Sequence, residues 1–153
     1  MNLNTGINEN KVRDIAKGLS KLLAETYTLY LKRTNITGTL RDQCFKLYTM
    51  FETHYTALAL AVDEIAERIR VMDVKAPGPY TEFAELSQVK KISSKEIQAR
   101  LMIKNLLQDH EQVVRTAKEI LPILEGANDE GTNSLFGAGI EFHEKTAWML
   151  KVY

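Results

Sequence analysis

Glu52, Asp63 and Glu67 carry three carboxylates along the run 51–70, FETHYTALALAVDEIAERIR. Separations of eleven and four residues bring them within roughly 60° of one another at about 100° per helical residue. Tyr55, Thr56, Ala59 and Leu60 share that side, so the acids sit on a mostly apolar face. A lone carboxylate buried there costs several kcal/mol unless it finds a partner. The pattern therefore points to a cation, a basic partner or an interface that keeps its water. An oxygen-rich set suits hard or borderline metals such as ferrous iron, manganese or magnesium. Long helices also carry acids that are simply solvated. An i,i+4 pair between Glu64 and Arg68 accounts for part of the pattern at a few tenths of a kcal/mol.

Other ligand-type side chains are few. His54 lies two residues after Glu52, about 160° away from the acid stripe, and reads as a packed or partly exposed core residue. His143 reads as structural in the last helix. His110, within Gln108-Asp109-His110-Glu111, reads as part of a solvated face. Cys44 is the single cysteine; it excludes an intrachain disulfide and fits a reducing compartment.

Four long helical patterns position these residues. The first runs from about Asn8 to Lys32, with Val12, Ile15, Leu19, Leu22, Leu23, Thr26, Leu29 and Tyr30 recurring at three- and four-residue steps. The β-branched and turn residues of Thr34 to Thr39 break it. A second helix, roughly Leu40 to Met72, places Leu47, Phe51, His54, Leu58, Val62, Ile65 and Ile69 in one seam. Ala76-Pro77-Gly78-Pro79 stops it, and Tyr80 to Leu86 forms a short helix inside a long connection. Ser93 or Ser94 caps a third helix reaching about Leu124, with Pro122 kinking or ending it. After Gly126-Ala127-Asn128-Asp129 a last helix carries Phe136, Ile140, His143, Ala147 and Leu150, and Trp148 reads as a buried anchor. A connection of about twenty residues between helices two and three crosses the length of a bundle, as in the all-α, ferritin-like four-helix topology with one long crossover.

Composition sets outer limits. The 153 residues, 44% apolar and 26% charged, are expected to form one domain over 1–153, with a flexible segment at 1–7. Twenty basic and twenty acidic residues cancel, which gives no general pull toward nucleic acid or an anionic membrane. No apolar run approaches the roughly 20 residues that span a bilayer, and the first residues lack a secretory pattern, so a cytoplasmic location is expected.

The chain resembles the Dps family, the small ferritins known as DNA-binding proteins from starved cells. Ala24-Glu25-Thr26-Tyr27 with Leu29-Tyr30-Leu31-Lys32 is similar to the family's first helix, and the acid-bearing run 51–70 to its second. Pro79-Tyr80-Thr81-Glu82-Phe83 resembles the crossover helix. Ala127-Asn128-Asp129-Glu130 and His143-Glu144-Lys145-Thr146-Ala147-Trp148-Met149-Leu150 resemble the last turn and helix.

The resemblance implies a four-helix subunit that assembles into a hollow homododecamer. It implies that ferrous iron is bound between subunits at two-fold axes, oxidised preferentially with hydrogen peroxide and stored inside as a ferric mineral. In family terms Asp63 and Glu67 are the acid pair from one subunit, and Glu52 the acid on the opposite side of the site. The resemblance also implies that acids in the region of Asp129 and Glu130 line a cation pore, while favourable charge at the start of the last helix accounts for them equally well.

Two family histidines are replaced. The segment between the first helices reads Thr34-Asn35-Ile36-Thr37-Gly38, and Tyr48 stands before the Phe-Glu pair. Fewer imidazole ligands imply weaker ferrous binding and slower ferroxidase activity. The alternatives are a ferroxidase-deficient shell acting by DNA binding or passive storage, and a metal-free helical interaction module. Without a basic tail, only weak DNA binding is expected, along Lys11, Arg13, Lys17 and Lys21.

Overall fold

The computed structural model describes residues 4–39, 45–89 and 99–152, with the side chains of 35–39, 45–48 and 99 left undescribed. Its helices are α1 (Glu9–Thr39), α2 (Phe45–Val71), α3 (Tyr80–Leu86), α4 (Ala99–Ala127) and α5 (Glu130–Leu150). The expected apolar stripes meet in one core. Ile15, Leu19, Leu23 and Leu29 of α1 pack with Phe51, Leu58, Ile65 and Ile69 of α2, Leu106, Val113 and Leu124 of α4, and Phe136 and Leu150 of α5. Leu47, Cys44 and the proposed caps Ser93 and Ser94 lie outside the described residues or side chains.

Cross-helix partners set the directions. From α1 to α4, Lys11 reaches the Gly126 carbonyl, Glu25 meets Thr116 and Lys32 meets Asp109, so these helices run antiparallel. A methyl group added at Gly18 would overlap the Ile120 side chain, so glycine permits the close approach of α1 and α4 there. Tyr30 with Tyr55 and Arg33 with Phe51 show the same antiparallel sense for α1 and α2. The crossover is tied down where Tyr27 packs on Phe83 at 4.7 Å and the Gln88 amide donates to Glu25 Oε1 at 3.3 Å.

Helix α1 does not stop at Lys32 but continues to Thr39. Threonine and asparagine lower helix propensity by only a few tenths of a kcal/mol each, and the Thr34 hydroxyl donates back to the Tyr30 carbonyl at 3.1 Å. Buried Lys32 and Arg33 anchor the preceding turn. Pro122 likewise does not end α4, which runs five residues further; buried Ile120 and Leu124 hold that end against the core. The short helix Tyr80–Leu86 matches its expected bounds.

Candidate metal centre

Glu52, Asp63 and Glu67 are all exposed on α2. The residues beside them explain why: Phe51, His54, Leu58, Ile65 and Ile69 take the inward face, which leaves the acids on the outward side of the same helix. Among the described residues none of the three acids forms a salt bridge. Nor, among the described residues, does any group of three His, Cys, Asp or Glu side chains lie close enough to hold a metal ion. The expected Glu64–Arg68 pair is not formed. Arg68 turns instead to α5, donating to Asp129 Oδ1 at 2.6 Å and to Thr132 Oγ1 at 2.8 Å. A half-buried guanidinium finds a buried carboxylate there, a stronger partner than a solvated neighbour one turn away.

Near Glu52 the surface becomes aromatic. Tyr55, one turn later on α2, shares a 2.5 Å hydrogen bond with the Tyr30 hydroxyl, and the rings stack at 4.8 Å. That hydrogen bond, followed by partial burial, raises the Tyr30 pKa above its ordinary value. The Arg33 guanidinium lies over the rings of Tyr55 and Phe51 at 5.2 and 5.7 Å. Tyr48 and residues 35–38, where the two family histidines are replaced, lie outside the described side chains.

The interior holds the second set of ligand-type residues. His54 is buried, as expected, and so is His143. His110 is a correction: it is not on a solvated face but only 1% exposed. Buried Leu106, Val113, Val114 and Ala117 stand four before and three, four and seven after it, and that periodicity was the signal in the sequence. Its neighbour Asp109 is buried too, held by Lys32 at 2.5 Å.

The three rings crowd around Phe142, and His110 Nδ1 lies 2.8 Å from His143 Nδ1. Burial lowers the His143 pKa to about 3, with His54 adding to the effect. Burial and then the Arg33 charge bring His54 to about 4. His110 is held well below its ordinary value by burial, then by His143 and His54. All three are neutral at neutral pH.

At the start of α5, Asp129 accepts from the Thr132 amide at 3.0 Å and from its hydroxyl at 2.5 Å, which makes it the N-cap. Trp148 is the other correction: it is 67% exposed. It stands two residues from both Thr146 and Leu150, which are buried, and two helical steps turn it to the opposite side. No helix among the described residues is long and apolar enough to cross a membrane.

Five helices in this order, with one long crossover and an acid-bearing second helix, define a class. The family profile Ferritin, a ferritin-like domain, matches residues 16–153, and the chain belongs to that family, in its Dps branch. It is 30% identical over 142 residues to DNA protection during starvation protein 2 of Bacillus anthracis, a match covering 92% of this chain and 97% of the relative. To the DNA protection during starvation protein of Porphyromonas gingivalis it is 29% identical over 153 residues, covering 97% and 94%. The structure is similar to that of the Dps protein from Vibrio cholerae O1, a member of a superfamily of ferritin-like diiron-carboxylate proteins. That match has a TM-score of 0.90 at 26% identity and covers 99% of this chain and 95% of that one.

Proposed function

We propose that this protein is a Dps-type mini-ferritin subunit that binds ferrous iron on the outer face of α2 and protects against peroxide and iron damage. The observation that carries the reading is the exposed, aligned set Glu52, Asp63 and Glu67, which has no salt-bridge partner among the described residues. Three acids spread over four turns of one helix do not enclose an ion. A second copy that brings its own Glu52 opposite the Asp63–Glu67 pair completes an oxygen-rich site for a hard cation. Exposed Leu60 on the same helix supplies apolar area for that contact. Family membership supports assembly as a closed homododecamer in the cytoplasm, built from a single domain spanning 1–153, with Asp129 and Glu130 near its cation pores.

Ferroxidase activity in this reading is reduced. Tyr48 and the segment 35–38 offer no imidazole where the family has two, so carboxylates and water hold the iron less firmly. Anaerobic titration of the purified apo-protein with ferrous iron, followed by hydrogen peroxide, tests this. Asp63→Ala with Glu67→Ala is expected to abolish binding, and Tyr48→His to strengthen binding and speed oxidation. Parent-like binding and oxidation in the double alanine variant would place the iron site elsewhere. The second reading, a ferroxidase-deficient shell that acts on DNA, draws on exposed Arg13 and Lys17 of α1. With zero net charge, the expected affinity for duplex DNA near physiological salt is weak, and a submicromolar gel shift at about 150 mM salt would favour that reading instead.

A further inference from the structure

The bundle interior holds more nitrogen than its packing needs. His110 is 1%, His143 4% and His54 5% exposed. The first two lie Nδ1 to Nδ1 at 2.8 Å, and His54 Nδ1 is buried with no hydrogen-bond partner. Beside them is a pocket of about 260 Å³ whose wall is mostly apolar, with Leu60, Ile65, Val113, Phe136 and Ile140 among its residues, and His143 is the one histidine on it among the described residues. Glu64 is the one acidic side chain on its wall among the described residues.

We propose that His110 and His143, with His54 as a third ligand, form an intrasubunit site for a borderline transition-metal dication of the zinc class, separate from the acid face of α2. The distances fit a site that is nearly closed. With metal–nitrogen bonds of about 2.0–2.1 Å, two imidazole nitrogens on one tetrahedral ion stand roughly 3.4 Å apart, and their ring centres roughly 5.2 Å apart. His110 and His143 stand 2.8 Å apart at Nδ1 and 4.9 Å apart at their centroids, so the pair opens by about 0.6 Å at nitrogen and about 0.3 Å between ring centres to admit the ion.

His54 is 6.4 Å from His110 between centroids and moves in by roughly 1 Å to reach the same spacing. As the rings stand, no three His, Cys, Asp or Glu side chains among the described residues lie within reach of one ion. Binding requires both Nδ1 lone pairs, so the ring that donates in the pair shifts its proton to Nε2, and no net proton is released. A water brought in with the ion supplies the fourth ligand. An imidazole set selects zinc, copper or cobalt over magnesium and manganese.

The proposal does not rest on the iron reading, and its test begins from the variant that removes that site. Asp63→Ala/Glu67→Ala protein is titrated with Co²⁺ and followed by visible absorption. The expected result is about one ion per subunit with the intense bands of tetrahedral nitrogen ligation, and loss of those bands on adding H110Q with H143Q. His54→Gln is expected to weaken binding about tenfold and to leave helical content unchanged. Only weak octahedral bands, or intense bands that survive H110Q with H143Q, would overturn the proposal. Should those two substitutions unfold the bundle, Cu²⁺ bound to the folded acid-face variant decides it by electron paramagnetic resonance. Hyperfine coupling to two or more nitrogens supports the site, and coupling to one or none overturns it, leaving a hydrogen-bonded histidine pair that serves packing alone.

Discussion

Along the outer face of α2 three carboxylates stand exposed, with no salt bridge among the described residues, while inside the same bundle three imidazoles pack against Phe142 and one another. Both regions collect metal-ligating side chains, and they differ in what their environment does to charge. Water keeps the acids solvated and lets them wait for a cation or a second subunit. Burial strips the histidines of charge, so each is a neutral base whose protonation opposes folding. Function is therefore expected to be sensitive on the outer face where stability is not, and the two are expected to be coupled in the interior.

The largest effect follows from leaving an interior charge unpaired. Asp109→Ala strands the Lys32 ammonium, now held at 2.5 Å, in a buried position, at an expected loss of about 3–5 kcal/mol in denaturant unfolding. A loss below about 1 kcal/mol would mean that water reaches this part of the interior and would weaken the contrast between the regions.

Acid pH comes next. The folded-state pKa values of His54, about 4, and His143, about 3, lie below the ordinary histidine value of 6.5 because burial disfavours the charged ring. The unfolded chain then binds more protons between those limits, so their stabilising contribution is full above pH 6.5. It falls as pH drops through that value and stops falling near the folded-state values. Each group adds a slope of roughly 1.4 kcal/mol per pH unit within its window. Melting temperatures measured from neutral pH to pH 4 are expected to decline, and less steeply in His54→Leu. Equal slopes in parent and variant would show that His54 is not buried in solution.

Asp129 joins a cap to an ion pair, since it serves both the start of α5 and Arg68 of α2. Asp129→Ala is expected to cost about 1–2 kcal/mol, and Asp129→Asn less, because the amide oxygen still caps. The smallest effect on folding belongs to the outer face. Glu52→Ala, Asp63→Ala and Glu67→Ala are expected to leave the subunit's thermal unfolding unchanged and to reduce ferrous binding, as calorimetry of both processes would show. A large fall in melting temperature in these variants would mean that the acids have structural partners.

The candidate outer site was legible as residues but not as a site. Spacing alone aligned Glu52, Asp63 and Glu67, because helical periodicity is a local property. The interior cluster was half legible. His54 sits in a clear apolar seam, whereas His110 was hidden by the polar run Gln108 to Glu111, and only Leu106 and Val113 on either side marked its face. Trp148 misled in the other direction, since a large apolar side chain says nothing about which side of the helix it occupies.

By itself the sequence determined the helical periodicity, the short helix within the crossover and the burial of most of the core, because each depends on residues a few positions apart. Tertiary structure decided the extension of α1 to Thr39, the choice of Asp129 over Glu64 by Arg68, the pairing of Lys32 with Asp109 and the meeting of three histidines around Phe142. Those outcomes depend on which groups other helices bring within a few ångströms. A buried charge or an unpaired ring nitrogen is settled by the partner it finds, and that partner lies dozens of residues away along the chain.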